Sequence, residues 1–212
     1  MEQPQEIDGS LLEYAHKLIR NCAKTGDVAV DATTGNGHDT LFLTRCVGHS
    51  GQVYGFDIQS GAIDATRQRL DDAEIDPSAY SLVCDSHANM ARHVNKQVQV
   101  VMFNLGYLPG SDKSVITLAE TTLQALSAAV DLMAAGGVLT VMCYPGHDGG
   151  KEEAALVTDW LARINPECGE LRSYRRRGTS DSAPFLLVVT KKAASTIGDA
   201  SRRSMVETKS AP

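Results

Sequence analysis

Short runs of apolar and β-branched residues alternate with longer helical patterns along most of this chain. The alternation is typical of a parallel sheet that carries helices on both faces, and it predicts an α/β fold. The run at residues 98–103 is apolar throughout, as expected of a strand buried on both faces. The predicted strands comprise residues 28–32, 52–57, 80–84, 98–103 and 138–143. The predicted helices comprise residues 10–23, 38–47, 60–73, 114–135 and 151–164.

The last two predicted strands, residues 170–177 and 185–191, have no helical pattern between them. Such neighbours pair most simply as an antiparallel hairpin. We therefore predict a doubly wound, seven-stranded, mostly parallel sheet with a C-terminal antiparallel hairpin. One domain would span residues 1–192. Residues 193–212 carry almost no large apolar side chains, and we expect a disordered tail there.

Composition narrows the class of protein. The 212 residues suit one domain, and 42% hydrophobic with 22% charged residues is a globular composition. No apolar run approaches the roughly 18 residues of a membrane span, and the first ten residues lack a signal-peptide pattern. Five cysteines without a CxxC pair argue against a disulfide framework and a zinc site. We expect a cytoplasmic protein with no membrane and no metal partner.

The net charge of −6 argues against a purely electrostatic grip on nucleic acid. A local patch of basic residues on the last two strands could still contact phosphates. A charged sheet edge that prevents strand pairing explains the same residues equally well. The candidates are Arg172, Arg175, Arg176, Arg177, Lys191 and Lys192, with Lys113 and Lys151 in loops beside the site.

A segment with two glycines, DATTGNG at residues 31–37, lies where the first predicted strand ends and the next helix begins. Glycines there let the backbone turn sharply and let a ligand approach the main chain. Thr40 stands where a dinucleotide-binding GxGxxG motif has its third glycine, so a cofactor without a phosphate fits better. Asp57 ends the second strand, where a carboxylate can accept both hydroxyls of an adenosine ribose. Together, the glycine segment and Asp57 predict an adenosine-type ligand. The alternative is that the glycines only form a turn and that Asp57 only caps a helix.

Two further strands end in polar segments at the same predicted edge. Ser86 and His87 follow the third strand, where they could meet an adenine ring; a helix cap or a packed surface histidine is the alternative. Asn104 begins the segment NLGYLPG after the fourth strand. Its amide oxygen and nearby carbonyls can orient a substrate amine, and Tyr107 offers a ring face to a base. The alternative is a turn closed by an Asx hydrogen bond.

These motifs resemble a bacterial family labelled rRNA methylases, whose characterised members are tRNA 5-(aminomethyl)-2-thiouridine methyltransferases of the MnmM type. The segments that carry the resemblance are DATTGNGHDT at residues 31–40, FDIQ at 56–59, Ser86 with His87, NLGYLPG at 104–110, and Tyr144 with Gly146 and His147. The resemblance implies a class I, Rossmann-like methyltransferase fold and S-adenosylmethionine as cofactor. It also implies methylation of the exocyclic amine of 5-aminomethyl-(2-thio)uridine at wobble position 34, the tRNA anticodon stem-loop as partner, and a homodimer.

Residue by residue, the resemblance implies three groups. The cofactor-binding group is Asp31, Gly35, Asn36, Gly37, His38, Asp39, Thr40, Asp57, Gln59, Ser86, His87 and Asn104. The substrate-binding group is Leu105, Gly106, Tyr107, Leu108, Pro109, Gly110, Lys113, Tyr144 and His147. The catalytic group is Asn104, Tyr107, Asp112 and His147. In the cofactor group, Asp31 or Asp39 would lie near the methionine ammonium.

Other functions remain open at this point. The chain could methylate rRNA or a small-molecule amine, or it could be a non-catalytic S-adenosylmethionine-binding or RNA-binding module. The segment that begins at Asn104 argues against the last alternative, because a module that only binds needs no group to orient an amine.

Overall fold

The computed structural model describes residues 3–106, 119–146 and 148–192. Within them, eight strands form one sheet, and helices cover both of its faces. The strands are β1 (Gln5–Ile7), β2 (Val28–Asp31), β3 (Gln52–Asp57), β4 (Tyr80–Cys84), β5 (Val98–Asn104), β6 (Met133–Cys143), β7 (Gly169–Arg176) and β8 (Phe185–Lys191). The helices are α1 (Leu11–Cys22), α2 (His38–Val47), α3 (Ser60–Asp72), α4 (Met90–His93), α5 (Ala119–Leu132) and α6 (Gly150–Cys168).

The strand order is β1-β7-β8-β6-β5-β2-β3-β4. Strand β8 is antiparallel to both β6 and β7, and the remaining pairs are parallel. The order reverses beside β2, since β3 and β4 extend the sheet on one side while β5 and β6 lie on the other. In open α/β sheets, ligands bind beyond the carboxyl ends of the strands at such a reversal.

All seven predicted strands are present, and the predicted antiparallel hairpin is confirmed. The predicted bounds of α2, β3 and β4 match the structure residue for residue. Strand β1 is an addition that the sequence patterns did not predict. It pairs with β7 in parallel at the edge of the sheet.

The predicted end of the helix at residues 114–135 is wrong. Helix α5 ends at Leu132, and Gly136 lies inside β6. The Lys191 ammonium of β8 donates to the carbonyl oxygens of Val130 and Met133, both at 2.7 Å. It thereby satisfies acceptors that a helix C-terminus leaves open, a role that the sequence suggested for the glycine. Residues 114–118 and the predicted tail at 193–212 lie outside the described residues.

Alternate residues of β5 serve two separate apolar layers. Val101 and Phe103 pack with α5 and α6 on one face, whereas Val100 and Met102 pack with α1 and α2 on the other. Asn104 continues the second series, so the strand directs its side chain toward α1 and α2. No helix within the described residues combines the length and apolarity that crossing a membrane requires.

Candidate active site

The loop between β2 and α2 forms the centre of the site. Gly35 and Gly37 have φ angles of 51° and 78°, in the left-handed region that favours glycine. Helix α3 supports this loop, because Thr66 Oγ1 donates to the Gly35 carbonyl at 3.1 Å and Arg69 Nε donates to the Asn36 carbonyl at 2.6 Å. A Cβ atom at position 37 would lie 2.8 Å from the Thr66 Cα atom. The loop therefore keeps its shape only with glycine at this contact.

Asp57 lies beside the loop at the carboxyl end of β3. One carboxylate oxygen accepts from the Gly35 N–H at 3.0 Å, and the other accepts from the Gln59 N–H at 2.9 Å. Each oxygen retains a further lone pair for a ligand hydroxyl. The next side chain, Ile58, is 58% exposed, an unusual exposure for a large apolar residue at the end of a core strand. Ile58 was not among the predicted site residues, although its place directly after Asp57 was a usable signal.

Asp31 stabilises the loop from inside the protein. It is 1% exposed, and its oxygens accept from the Thr33 N–H at 3.1 Å and from Thr40 Oγ1 at 2.7 Å. Burial raises the pKa of this carboxyl from 3.8 to about 7, and the neighbouring Asp39 carboxylate adds to the rise. His38, the first residue of α2, is exposed. Asp31 and Thr40 thus lie behind the loop surface.

His87 connects the ends of β4 and β2. It is 8% exposed, and its Nδ1 lies 3.1 Å from the Ala32 carbonyl. Burial lowers the pKa of the imidazole, which favours the neutral ring with the hydrogen on Nδ1, since a carbonyl only accepts. Ser86 caps the short turn at His87 by accepting from the Ala88 N–H at 3.2 Å. Asp85 holds the same turn by accepting hydrogen bonds from Asn89 and His93. These hydrogen bonds lower the pKa of Asp85, and the one from Asn89 has the larger effect.

Asn104 is held by hydrogen bonds from both its backbone and its side chain. Its backbone N–H donates to Thr33 Oγ1 at 2.7 Å, and its side-chain Nδ2 donates to the Asp39 carboxylate. The other Asp39 oxygen lies 2.7 Å from His16 Nε2. His16 was not among the predicted site residues, because it lies on α1, 23 residues before Asp39, and no local pattern marks it. The predicted residues Asp39 and Asn104 are thus in direct contact.

Tyr144 follows β6 and is 40% exposed. Burial raises the pKa of its hydroxyl, and the Asp39 carboxylate adds to the rise. Leu105 is buried, and Gly106 has a φ of 117°. The remaining predicted substrate and catalytic residues lie outside the described residues. They are Tyr107, Leu108, Pro109, Gly110, Asp112, Lys113 and His147.

Several members of the predicted basic patch have partners within the chain. Arg172 pairs with Glu170 at 2.7 Å, and Arg177 pairs with Asp8 at 3.1 Å. The Arg175 guanidinium lies 4.9 Å from the centroid of the Phe185 ring. Because Lys191 caps α5, it is also not a free cation. These four side chains are therefore engaged within the protein.

Among the described residues, no three His, Cys, Asp or Glu side chains gather in a way that could hold a metal ion. The polar groups gather instead at the carboxyl ends of β2, β3, β4 and β5. A family model described as "Putative rRNA methylase" matches residues 53–190. The chain belongs to this family. The resemblance inferred from the motifs is confirmed, and so is the class I methyltransferase fold.

One curated relative is the Arabidopsis thaliana protein named tRNA (mnm(5)s(2)U34)-methyltransferase, chloroplastic. It is 42% identical over an alignment of 167 residues, and the match covers 70% of this chain and 61% of the relative. The matched part of this chain thus spans less than two thirds of that protein's length.

Two solved structures share both the fold and a substantial part of the sequence. A Clostridium thermocellum protein described as a "putative rRNA-methylase" is 39% identical, with a TM-score of 0.84 over 87% of this chain and 99% of that one. A Streptococcus mutans protein described as a "putative methyltransferase", solved in complex with SAH, is 30% identical. Its TM-score is 0.79, over 87% of this chain and 99% of that one.

Proposed function

We propose that this protein transfers a methyl group from S-adenosylmethionine to the exocyclic amine of 5-aminomethyl-(2-thio)uridine at the wobble position of tRNA. The observation that carries the proposal is the joint position of the glycine loop, Asp57 and Asn104 at one sheet edge. Membership of the methylase family and the name of the Arabidopsis relative support it. The SAH complex of the Streptococcus mutans protein supports the choice of cofactor.

The residues at this edge fit an adenosine-containing cofactor. The Gly35 to Gly37 loop would hold its methionine portion, because glycines leave the main chain open to close approach. The remaining lone pairs of Asp57 would accept the ribose hydroxyls. The exposed Ile58 side chain would pack on the adenine ring. When bound, S-adenosylmethionine supplies an electrophilic methyl group on a cationic sulfonium.

Asn104 would orient the substrate amine. Its Nδ2 donates to Asp39, so its carboxamide oxygen remains to accept an N–H of the amine. An alkylamine is mostly protonated at neutral pH, since such amines titrate near ~10, and it must lose a proton before it can attack. Desolvation beside the cationic sulfonium would lower the pKa of the amine so that its proton passes to solvent water, or Asp112 or His147 would accept the proton. Holding the amine in line with the methyl group would supply most of the rate enhancement.

The proposed partner is the anticodon stem-loop of tRNA. The proposed assembly is a homodimer of the domain at residues 1–192, and its proposed location is the cytoplasm. The description of the family favours rRNA as the second candidate substrate.

The test is methyl transfer by the purified protein from radiolabelled S-adenosylmethionine. The acceptors are tRNA and rRNA from cells that lack the protein, and a panel of small alkylamines. We expect label in tRNA alone, and nucleoside mass analysis should show 5-aminomethyl-2-thiouridine converted to its methylamino form. Label in rRNA would replace the proposed substrate with the second candidate. Cofactor binding without transfer to any acceptor would contradict the proposed activity.

A further inference from the structure

The Asp39 carboxylate joins two residues that are far apart in the sequence. One oxygen lies 2.7 Å from His16 Nε2 on α1, and the other accepts from Asn104 Nδ2 at the end of β5. The His16 and Asp39 side chains are 17% and 10% exposed, so water competes little for this contact. His16 and Asn104 are therefore linked through one carboxylate.

The carboxylate decides which way the Asn104 amide faces. An ionised carboxylate only accepts hydrogen bonds, so the amide presents its NH₂ group to Asp39. The carboxamide oxygen of Asn104 then points away from Asp39. Its backbone N–H is engaged by Thr33 Oγ1 at 2.7 Å, which fixes the end of the strand that carries it. The orientation of the amide thus depends on the position of the Asp39 carboxylate.

His16 is itself held by packing. Its ring stacks on Phe42 of α2, with 3.8 Å between the ring centroids and 11° between the planes. The Arg20 guanidinium lies 5.1 Å from the centroid of the same Phe42 ring. With Asp39 ionised, His16 Nε2 must carry the hydrogen in their contact. Stacking on Phe42 therefore fixes the position of the His16 Nε2 donor.

We infer that His16 is a positioning residue for the reaction, acting through Asp39 to keep the Asn104 carboxamide oxygen turned toward the substrate amine. This inference rests on the proposed function. His16 does not touch the reacting atoms. Its loss leaves the glycine loop and Asp57 in place, and the Asp39 carboxylate stays on α2 with its hydrogen bond from Asn104, so the effect falls on kcat more than on cofactor affinity.

Two substitutions separate the hydrogen bond of His16 from its packing. His16→Phe keeps an aromatic ring on Phe42 and removes the N–H donor. His16→Gln removes the ring and keeps an amide donor near the position of Nε2. We expect His16→Phe to lower kcat about tenfold and His16→Gln to remain within about threefold of the wild type. The SAH dissociation constant, measured by calorimetry, should change less than about threefold in both.

A purely structural role predicts the opposite order. In that case His16→Phe, which preserves the stacking, would be the better tolerated variant, and this result would overturn the inference. His49→Phe is the matched control, because His49 is exposed in the turn after α2. It should leave kcat unchanged.

A second measurement needs no substrate. The Asn104 side-chain NH₂ signals in a ¹H–¹⁵N spectrum are identified by their loss in Asn104→Ala. Their exchange with water should be about threefold faster in His16→Phe than in the wild type, as expected when a supporting hydrogen bond is lost. Unchanged exchange would contradict the link through Asp39. If the wild type methylates no tRNA, the proposed function fails by itself, and the exchange rates still decide whether His16 holds the Asn104 amide through Asp39.

Discussion

At the scale of single residues, Asn104 has the central role in the proposed reaction, because it would orient the substrate amine. Asn104→Ala should lower kcat by about 100-fold, because the substrate amine loses the group that orients it. The SAH dissociation constant should stay within about threefold of the wild type. Asn95→Ala is the matched control, since Asn95 is exposed just before the opposite end of β5. A variant at position 104 with normal turnover would end this role for Asn104.

Asp31 predicts a pH dependence of stability. Burial raises its pKa in the folded protein from 3.8 to about 7. Between these two values the folded state binds more protons than the unfolded state, so the free energy of unfolding falls as the pH rises. The slope from this one group is at most about 1.4 kcal/mol per pH unit.

Asp31→Asn removes this titration. Relative to the wild type, the variant should gain stability as the pH rises from 5 toward 7, as measured by urea unfolding at about one-unit steps of pH. Asp64→Asn, at an exposed site on α3, should follow the wild type. Parallel curves for Asp31→Asn and the wild type would mean that Asp31 titrates near its ordinary pKa.

Part of the site could be predicted from local sequence. The glycine loop, Asp57, His87 and Asn104 each lie at or just beyond the end of a strand, and parallel strands bring those ends to one edge. His16 could not be predicted in this way, because its role arises from packing of α1 against the face of β5 that carries Asn104.

At the scale of elements, the contact between α3 and the glycine loop leaves little room for a larger side chain. Gly37→Ala places a Cβ atom 2.8 Å from the Thr66 Cα atom at a φ of 78°. We expect a loss of about 1–3 kcal/mol of stability and at least about tenfold weaker SAH binding. Gly61→Ala, where a Cβ atom has open space within α3, should instead be neutral or stabilising. Equal behaviour of the two variants would contradict the proposed contact.

Lys191 connects β8 to the end of α5. Lys191→Met removes two charge-assisted hydrogen bonds to the Val130 and Met133 carbonyls. It should cost about 1.5–3 kcal/mol in unfolding free energy, measured by chemical denaturation. SAH affinity should not change. Lys96→Met, at an exposed position, is the control, and an equally small effect of both would show that Lys191 does not stabilise the helix end.

The elements that the sequence predicted well have local boundary signals. Ser10 caps α1, and α2 lies between Gly37 and Gly48. The end of α5 had a misleading signal, because Gly136 follows it closely while the group that satisfies its carbonyls, Lys191, comes from a distant strand. Strand β1 has three residues and depends on pairing with β7, which no local pattern reveals.

At the scale of the whole molecule, strand order explains why one loop meets two functional groups. Strand β2 lies between β3 and β5, so the loop that follows it lies beside Asp57 on one side and Asn104 on the other. The same order brings α1 and α2 together over the face that Asn104 continues. The residues proposed to hold the cofactor and the residue proposed to orient the amine therefore lie at one place in the fold.

The most direct test of the account is nucleoside mass analysis of tRNA from cells in which the gene has been deleted and then restored. Cells without the gene should accumulate 5-aminomethyl-2-thiouridine at the wobble position. The wild-type gene should restore the methylamino form, whereas a gene carrying Asn104→Ala should not, although the protein is present in equal amount. Unaltered wobble nucleosides in the deleted cells, or full restoration by the Asn104→Ala gene, would contradict the account.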